Sequence, residues 1–493
     1  MNKLLIVLVC SFPAMLFSQI KTADKTETLT LNHAIEIAVD SSLSSFKAKN
    51  LYLSGYWQYR TFRAGRLPTM WLDMTPLSYN QNFVKRYDSQ NNVDVYKSQQ
   101  SLNSYANLSI KQNLDITGGT FSMDTELGYL RNFGLSQYEQ YSSVPFRIGY
   151  SQSLFGYNSY RWEKKIEPIR YEKAKKELIY NLEEISEQTT AYFFDLALNQ
   201  TIYELAKQNI ANSDTLYLIG EERYKIGSIS QSDLLTLKLQ AINAKNDVGN
   251  AEIGMRKSAF TMASYLGLDR DIQLILKLPA ELMHVMLNCE EVISRAKENN
   301  PTFPAIKENI LTAQQNYDKT LKASRFSASL SASVGFNQIA TDLMAAYRKP
   351  LQQDVVSVNM SVPLVDWGLG KGRVNIARQN LNTVTITAKQ TEQNFEQDVF
   401  LTVYEFNLRQ SQIKSAEEAK KIAEMAYNKA KQLFVIGKTD VNSVNMAVSR
   451  QIEAEQSYIT SLRNYWLSYY KIRKLTLYDY VAHKNISVVY ELQ

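Results

Sequence analysis

Glycine and proline are scarce in this chain, at 18 and 10 of 493 residues. A length that could hold two to four ordinary domains therefore carries too little punctuation for so many separate folds, and long uninterrupted elements are expected. Cysteine is scarcer still. Cys10 lies in an apolar run at the start of the chain, so once that run is removed Cys289 has no partner for an intramolecular disulfide. Beyond residue 20 no apolar stretch is long enough to cross a bilayer as a helix, and any membrane-embedded part must be β-strand. The three histidines, His33, His284 and His483, stand far apart without a partner at metal-ligand or triad spacing. They carry no assigned chemistry, and neither a cofactor nor a metal is expected. A net charge of +6, from 55 basic and 49 acidic residues, is mild. With no basic run interleaved with aromatics, it gives no nucleic-acid groove.

The start of the chain is informative. Met1-Asn2-Lys3 followed by the apolar Leu4 to Phe17 has the order of a secretory signal peptide over residues 1–18, cleaved before Gln19. The run falls short of the roughly 20 residues of a transmembrane helix. Lipoprotein processing at Cys10 is disfavoured, because Val9 before it is not small and the apolar run would be cut in half.

A duplication organises the rest. Arg223-Tyr224-Lys225-Ile226-Gly227 corresponds to Leu433-Phe434-Val435-Ile436-Gly437, and Ser153-Leu154-Phe155-Gly156 to Pro363-Leu364-Val365-Asp366, both at an offset of 210 residues. The opening segments, Leu31 to Ala38 and Cys289 to Ala296, match at an offset of 258, so the first half carries an insertion before its Leu-Phe-Gly marker. Each half reads as a helix, a β region, a very long helix, a turn and a second long helix. Leu237, Ala241, Ala244, Val248, Ala251, Met255, Ser258, Met262 and Tyr265 keep the alternating three-and-four spacing of a coiled-coil seam. Ala447, Ala454, Tyr458, Tyr465 and Ile472 repeat it in the second half. The stretch from Ser159 to Ile219 would extend roughly 90 Å at about 1.5 Å per residue.

Between the helices the period changes to two. Ala328, Leu330, Ala332, Val334 and Phe336 alternate with Ser329, Ser331, Ser333 and Gly335, and Val356, Val358 and Met360 alternate with Ser357, Asn359 and Ser361. In the first half Ala106, Leu108 and Ile110, then Phe121, Met123 and Leu127, then Phe146, Ile148 and Tyr150 do the same, with an earlier strand near Leu67 to Leu77. One apolar face and one face of Ser, Asn and charge suit a lipid-facing barrel, although a soluble sandwich alternates likewise. Four to six strands cannot close a barrel alone, so several chains must share one.

Signal peptide, tandem halves, strand pairs before long helices and the motif Arg223-Tyr224-x-x-Gly227-x-x-Ser230-x-x-Asp233-Leu234-Leu235 together resemble the TolC-like outer-membrane factors, the outer membrane efflux protein family. The resemblance covers nearly the whole mature chain. It implies a mainly helical fold with membrane β-structure: long coiled helices forming a periplasmic tunnel, continuous with a twelve-stranded barrel shared by three protomers. A homotrimer in the outer-membrane lipid of a Gram-negative bacterium would serve as a passive exit duct for efflux or type I secretion. Its partners would be a periplasmic adaptor (membrane fusion protein) and an inner-membrane transporter. The boundaries expected are the first opening helix at 19–66, membrane strands at 67–156 and a long helical hairpin at 157–268. A linker and second opening helix follow at 269–325, a strand pair at 326–366, a second helical hairpin at 367–480 and a tail at 481–493. Against the family's two strands per half, an extra hairpin near 104–133 could widen the barrel to eighteen strands or cover it.

The resemblance also assigns candidate sites. Gly227 and Gly437, with Tyr224 and Phe434 beside them, would form the tips that receive the adaptor. Ser230 with Asp233 has the spacing of an N-capping pair, and helix capping is its favoured role. In a family member closed by polar links, an acidic residue at the place of Asp233 pairs with a Tyr and an Arg, positions held here by Phe434 and Thr439. Lys438 or Asp440 could supply a different closing contact. Ser443 and Met446 stand where that member has an acidic ring, which puts blockage by cations in doubt. Cys289 is expected in a packed core, and Glu183-Glu184 and Glu417-Glu418 on solvated helix faces. A trimeric adhesin or other barrel-anchored rod is the alternative, but it would place one barrel segment at the chain's end. A hydrolase lacks any nucleophile and base pair.

Overall fold

A computed structural model describes residues 26–133, 137–269, 272–279 and 285–487. The expected signal peptide and His284 lie outside the described residues. Along the chain come β1 (Thr26–Thr30), α1 (Leu31–Ser41), α2 (Leu43–Ala64), β2 (Thr69–Asp88), β3 (Val93–Asn113), β4 (Thr120–Asn132), β5 (Tyr138–Leu154), α3 (Ser159–Lys225) and α4 (Gln231–Leu266). There follow β6 (Gln273–Lys277), α5 (Cys289–Asn299), α6 (Thr302–Ala323), β7 (Ser327–Ala340), α7 (Ala345–Arg348), β8 (Leu351–Ser361), α8 (Leu369–Val435) and α9 (Val441–Thr476). Two short strands, β9 (Tyr478–Asp479) and β10 (Lys484–Asn485), close the described chain. Among the described residues, no helix is long and apolar enough to cross a membrane.

The duplication survives residue for residue in the helices. α3 and α8 each have 67 residues, α4 and α9 each 36, and the offset of 210 holds at both ends of both pairs. α1 and α5 have 11 residues each, α2 and α6 22 each. Pro168, ten residues into α3, lies past the first turn, so its missing N–H leaves the carbonyl of Lys164 without its helical donor.

The chain divides into two units. One gathers Met1–Ser45, Ile185–His284 and Leu408–Leu467. Here Leu237, Ala241, Ala244, Ala251 and Met262 of the expected seam are all buried, and small side chains on α4 let neighbouring helices approach. A parallel pairing of β1 with β6, Thr26 to Thr30 against Gln273 to Lys277, was not foreseen: five residues, with one large apolar side chain in β1 and a run of three in β6, give no alternation to read. Leu29 and Leu274 are the side chains it buries.

The other unit gathers Phe46–Glu184, Val285–Asn407 and Ser468–Gln493. Its sheet has six strands in the order β2-β3-β4-β5-β7-β8, every neighbour antiparallel, with β2 and β8 left as edges. Cross-strand register puts Met70, Ile110, Met123, Ile148 and Val334 in one row on one face. The next row, Trp71, Ser109, Asp124, Arg147 and Gly335, lies on the other face, where Arg147 pairs with Asp124 at 2.5 Å and approaches Glu126 at 3.9 Å. The strand expected near 67–77 is longer, 20 residues, and continues past a slip in register between Thr75 and Ser78. Pro76 at that slip cannot donate to a ladder and breaks the sequence alternation that would have announced the remainder.

Buried ion pairs brace the helices of this unit. Glu183 is 5% exposed and takes a bidentate pair from Arg473, Nε and Nη2 both at 2.9 Å, while Arg473 Nη1 reaches Asp479 at 2.9 Å. Solvation was the expectation for Glu183, and the structure corrects it: the carboxylate faces α9, not water. Burial disfavours the charge on Arg473, but the hydrogen bonds and charge of Glu183 outweigh it and raise the guanidinium above its ordinary value. Burial also pushes the Tyr469 hydroxyl up to about 12. Asn299 and Asn300 explain the Asn-Asn-Pro segment. Their side-chain amides donate to the carbonyls of Thr476 at 3.0 Å and Leu475 at 2.9 Å, satisfying the end of α9 where no further turn of helix can. Cys289, the first residue of α5, is half-buried rather than enclosed in a core, because a first helical position looks partly outward.

Candidate functional site

Two helix ends built alike stand together in the first unit. At the end of α3, the N–H of Gly227 donates to the carbonyl of Tyr224 at 2.9 Å and that of Ser228 to Arg223 at 2.8 Å. At the end of α8, Gly437 donates to Phe434 at 3.0 Å and Lys438 to Leu433 at 2.9 Å. Both are Schellman closures, and each needs a left-handed residue after the helix. Gly227 has φ +71° and Gly437 φ +78°, conformations that cost an L side chain about 1–2 kcal/mol.

The following helix starts are capped by different chemistry. Ser230 Oγ accepts from the N–H of Asp233 at 3.1 Å, and the Asp233 carboxylate accepts from the Ser230 N–H at 3.2 Å, a reciprocal box before α4. Before α9 the acceptor is Asp440, whose Oδ1 takes the Ser443 N–H at 2.7 Å. That hydrogen bond, the Ser443 hydroxyl and the Asn442 N–H hold the Asp440 carboxyl below its ordinary range. Lys438 is exposed on the turn between the two helices.

Beneath the turns lies a small apolar core of Leu216, Leu237, Phe434, Val441 and Val444, with Ile219 and Ile229 packed against it. Phe434 is 1% exposed, so its ring holds the turns from inside and is not on the surface a partner would meet. Tyr224, its counterpart, is exposed. Gly220 permits the close approach of α4: a Cβ there would stand 2.4 Å from Leu237 Cδ1. The two turns are joined by Arg223, which donates from Nη1 to the Phe434 carbonyl at 3.1 Å.

Three features escaped the reading of the sequence. The bridging role of Arg223 requires knowing that the two turns are neighbours. Ile226 and Ile436, 75% and 62% exposed, place one aliphatic side chain on the surface of each turn; their matched positions at the 210-residue offset were the available signal. The third is a groove of about 540 Å³ between α8 and α9, lined by Ala423, Ala426, Ser443, Met446 and Ala447.

Residues 292–476 match the family model described as "Outer membrane efflux protein". No curated protein matches the chain in sequence. Solved structures do match its fold. The Campylobacter jejuni CmeC outer membrane channel is 12% identical with a TM-score of 0.63, covering 96% of this chain and 93% of its own. The Neisseria gonorrhoeae MtrE outer membrane channel, in its open state, is 14% identical with a TM-score of 0.58, covering 90% and 88%. The Vibrio cholerae outer membrane protein VceC is 16% identical with a TM-score of 0.56, covering 91% and 95%. This is therefore an outer-membrane protein with the fold of the TolC-like channels throughout, and an outer membrane efflux protein segment over residues 292–476.

Proposed function

We propose that the chain is one protomer of a homotrimeric, passive export duct. Three copies close a common barrel through the lipid, and their long helices wall the conduit. The observation that carries this reading is the six-stranded sheet left open at β2 and β8, with apolar side chains exposed along one face. In hydrocarbon each unpaired backbone group costs several kcal/mol, so the edges demand strands from other copies.

The chain supplies no chemistry and no energy source. An inner-membrane transporter drives export, and a periplasmic adaptor couples it by meeting the turns at Gly227 and Gly437. Tyr224, Ile226 and Ile436 give that contact its apolar surface, and Phe434 stiffens the turns from behind. Ser230, Asp233 and Asp440 fix the helix starts, leaving Lys438 as the polar group free to meet a partner or a neighbouring copy. The adaptor shifts the turns between closed and open arrangements by binding one of them better.

The test is export in a strain lacking this gene, together with conductance of the purified protein in planar bilayers. Export restored only when adaptor and transporter are present, with discrete conductance steps, is the expected result. A water-soluble protein that gives no conductance overturns the reading.

A further inference from the structure

We propose that the lower part of the β2–β3 hairpin, Thr69 to Thr75 with its partners Tyr105 to Lys111, belongs to the barrel wall, so that β8 of one copy pairs with β2 of the next and the barrel closes at eighteen strands rather than the family's twelve. The inference rests on the trimeric duct proposed above and says how its copies are joined.

Direction comes first. Six antiparallel neighbours make β2 and β8 run oppositely, so β8 meets β2 of a second copy antiparallel, as every other pair in the sheet does. Nor is the hairpin loosely attached. β3 and β4 pair without a break from Ser101 against Asn132 to Asn113 against Thr120. A barrel closed through β4 would have to strip that whole ladder.

Closure geometry comes next. Starting at Thr69, where β2 begins, the partners straight across the sheet are Lys111, Ser122, Gly149, Ser333 and Val355. Val355 lies six residues short of Ser361, where β8 ends on the same rim. The rim therefore slips by one residue per strand. With about 3.4 Å per residue along a strand and about 4.8 Å between strands, that slip is a tilt of about 35°, at the edge of the range of closed barrels. A level rim sets Thr69 of one copy opposite Ser361 of the next, and the same slip then runs unbroken around three copies.

This register also matches the faces. It sets Met70 against Met360, Leu72 against Val358 and Met74 against Val356, all on the apolar face. These side chains are among the most exposed of the sheet, from 57% to 74%, because each edge lacks a neighbour on one flank. The seam ends at Pro76, which has no N–H to give, and at the slip between Thr75 and Ser78. Above it β2 pairs with β3 alone up to Asp88 and Val93, so the rest of the hairpin is an arm that leaves the barrel wall.

Disulfide trapping in outer membranes tests the seam, in a Cys289→Ser background. Asp73→Cys with Ser357→Cys, and separately Trp71→Cys with Asn359→Cys, are expected to give covalent dimers and trimers on non-reducing gels. Ser122→Cys with Asn359→Cys, the facing pair of a twelve-stranded closure through β4, should stay uncrosslinked. Crosslinking by the Ser122 pair alone, or by none of the pairs in a protein of trimeric native mass, overturns the eighteen-stranded seam and leaves the trimeric duct standing. A monomeric native mass brings down the duct reading itself.

Discussion

Arg223 holds Phe434 in two ways at once: its guanidinium donates to the Phe434 carbonyl at 3.1 Å and lies 5.2 Å from the centre of the Phe434 ring. A residue in the last turn of one long helix thereby caps the end of its duplicate. The Phe434 carbonyl already accepts from the Gly437 N–H at 3.0 Å, and its second lone pair, at a helix C-terminus, favours a cation. Arg223→Ala should loosen the two turns by about 1–3 kcal/mol locally, the worth of one charged hydrogen bond and a cation–π contact. Limited proteolysis within 226–229 and 436–439 is expected to speed up several-fold, with Arg223→Lys in between.

Gly227 and Gly437 separate folding from docking. A Cβ at Gly227 meets nothing within 4 Å, and one at Gly437 meets only Arg223 at 3.5 Å. Alanine at either place should therefore cost no more than the left-handed strain of about 1–2 kcal/mol. Gly227→Trp and Gly437→Trp are expected to leave the amount of assembled protein in the outer membrane unchanged while abolishing export. Loss of assembled protein would make the two positions purely structural.

The Glu183–Arg473 pair should dominate the stability of its surroundings. Arg473→Ala leaves the buried Glu183 without its charged partner, at about 3–5 kcal/mol, and should lower the midpoint of thermal unfolding markedly; Glu183→Gln, which leaves Arg473 its pair with Asp479, should lower it less. Replacing both with methionine should recover much of the loss, less what Asp479 forfeits with the Arg473 charge, because the pair's net worth is small beside the penalty of orphaning either charge. A double-mutant cycle on unfolding midpoints checks this.

Acid sensitivity is expected at Glu308. Burial acts to raise its carboxyl, but hydrogen bonds from Lys173 and Arg170, each 2.8 Å, outweigh it and hold the group below its ordinary 4.5. A depressed carboxyl stabilises the fold above its unfolded value and loses that contribution as pH falls through the folded one. Neighbouring Glu167 is raised, chiefly by burial, so its contribution runs the other way. The difference between wild type and Glu308→Gln isolates the first effect: it should be largest near neutrality and shrink below the ordinary carboxylate range in unfolding scans taken across pH.

What could be read from the sequence was whatever repeats or alternates. The 210-residue offset between Gly227 and Gly437 located both turns, and the alternation of Val356, Val358 and Met360 with Ser357, Asn359 and Ser361 gave the β character of the sheet. The order of long helices and strands followed from these together, and the helical tunnel and shared barrel from the resemblance to the TolC-like outer-membrane factors that they carry. Pairings between distant segments were not legible: Glu183 looked solvated because nothing local announces Arg473, 290 residues away. Phe434 looked like a surface tip because its aligned partner Tyr224 is one. The two positions differ only in what packs on them, Leu216 and Leu237 around Phe434 and open solvent beside Tyr224.

Native mass spectrometry of the detergent-extracted protein tests the central claim most directly, since an open sheet in lipid is tenable only if copies share it. The account predicts a complex of three chains that persists until the detergent is stripped. A single folded chain of monomeric mass, stable without detergent, would contradict it.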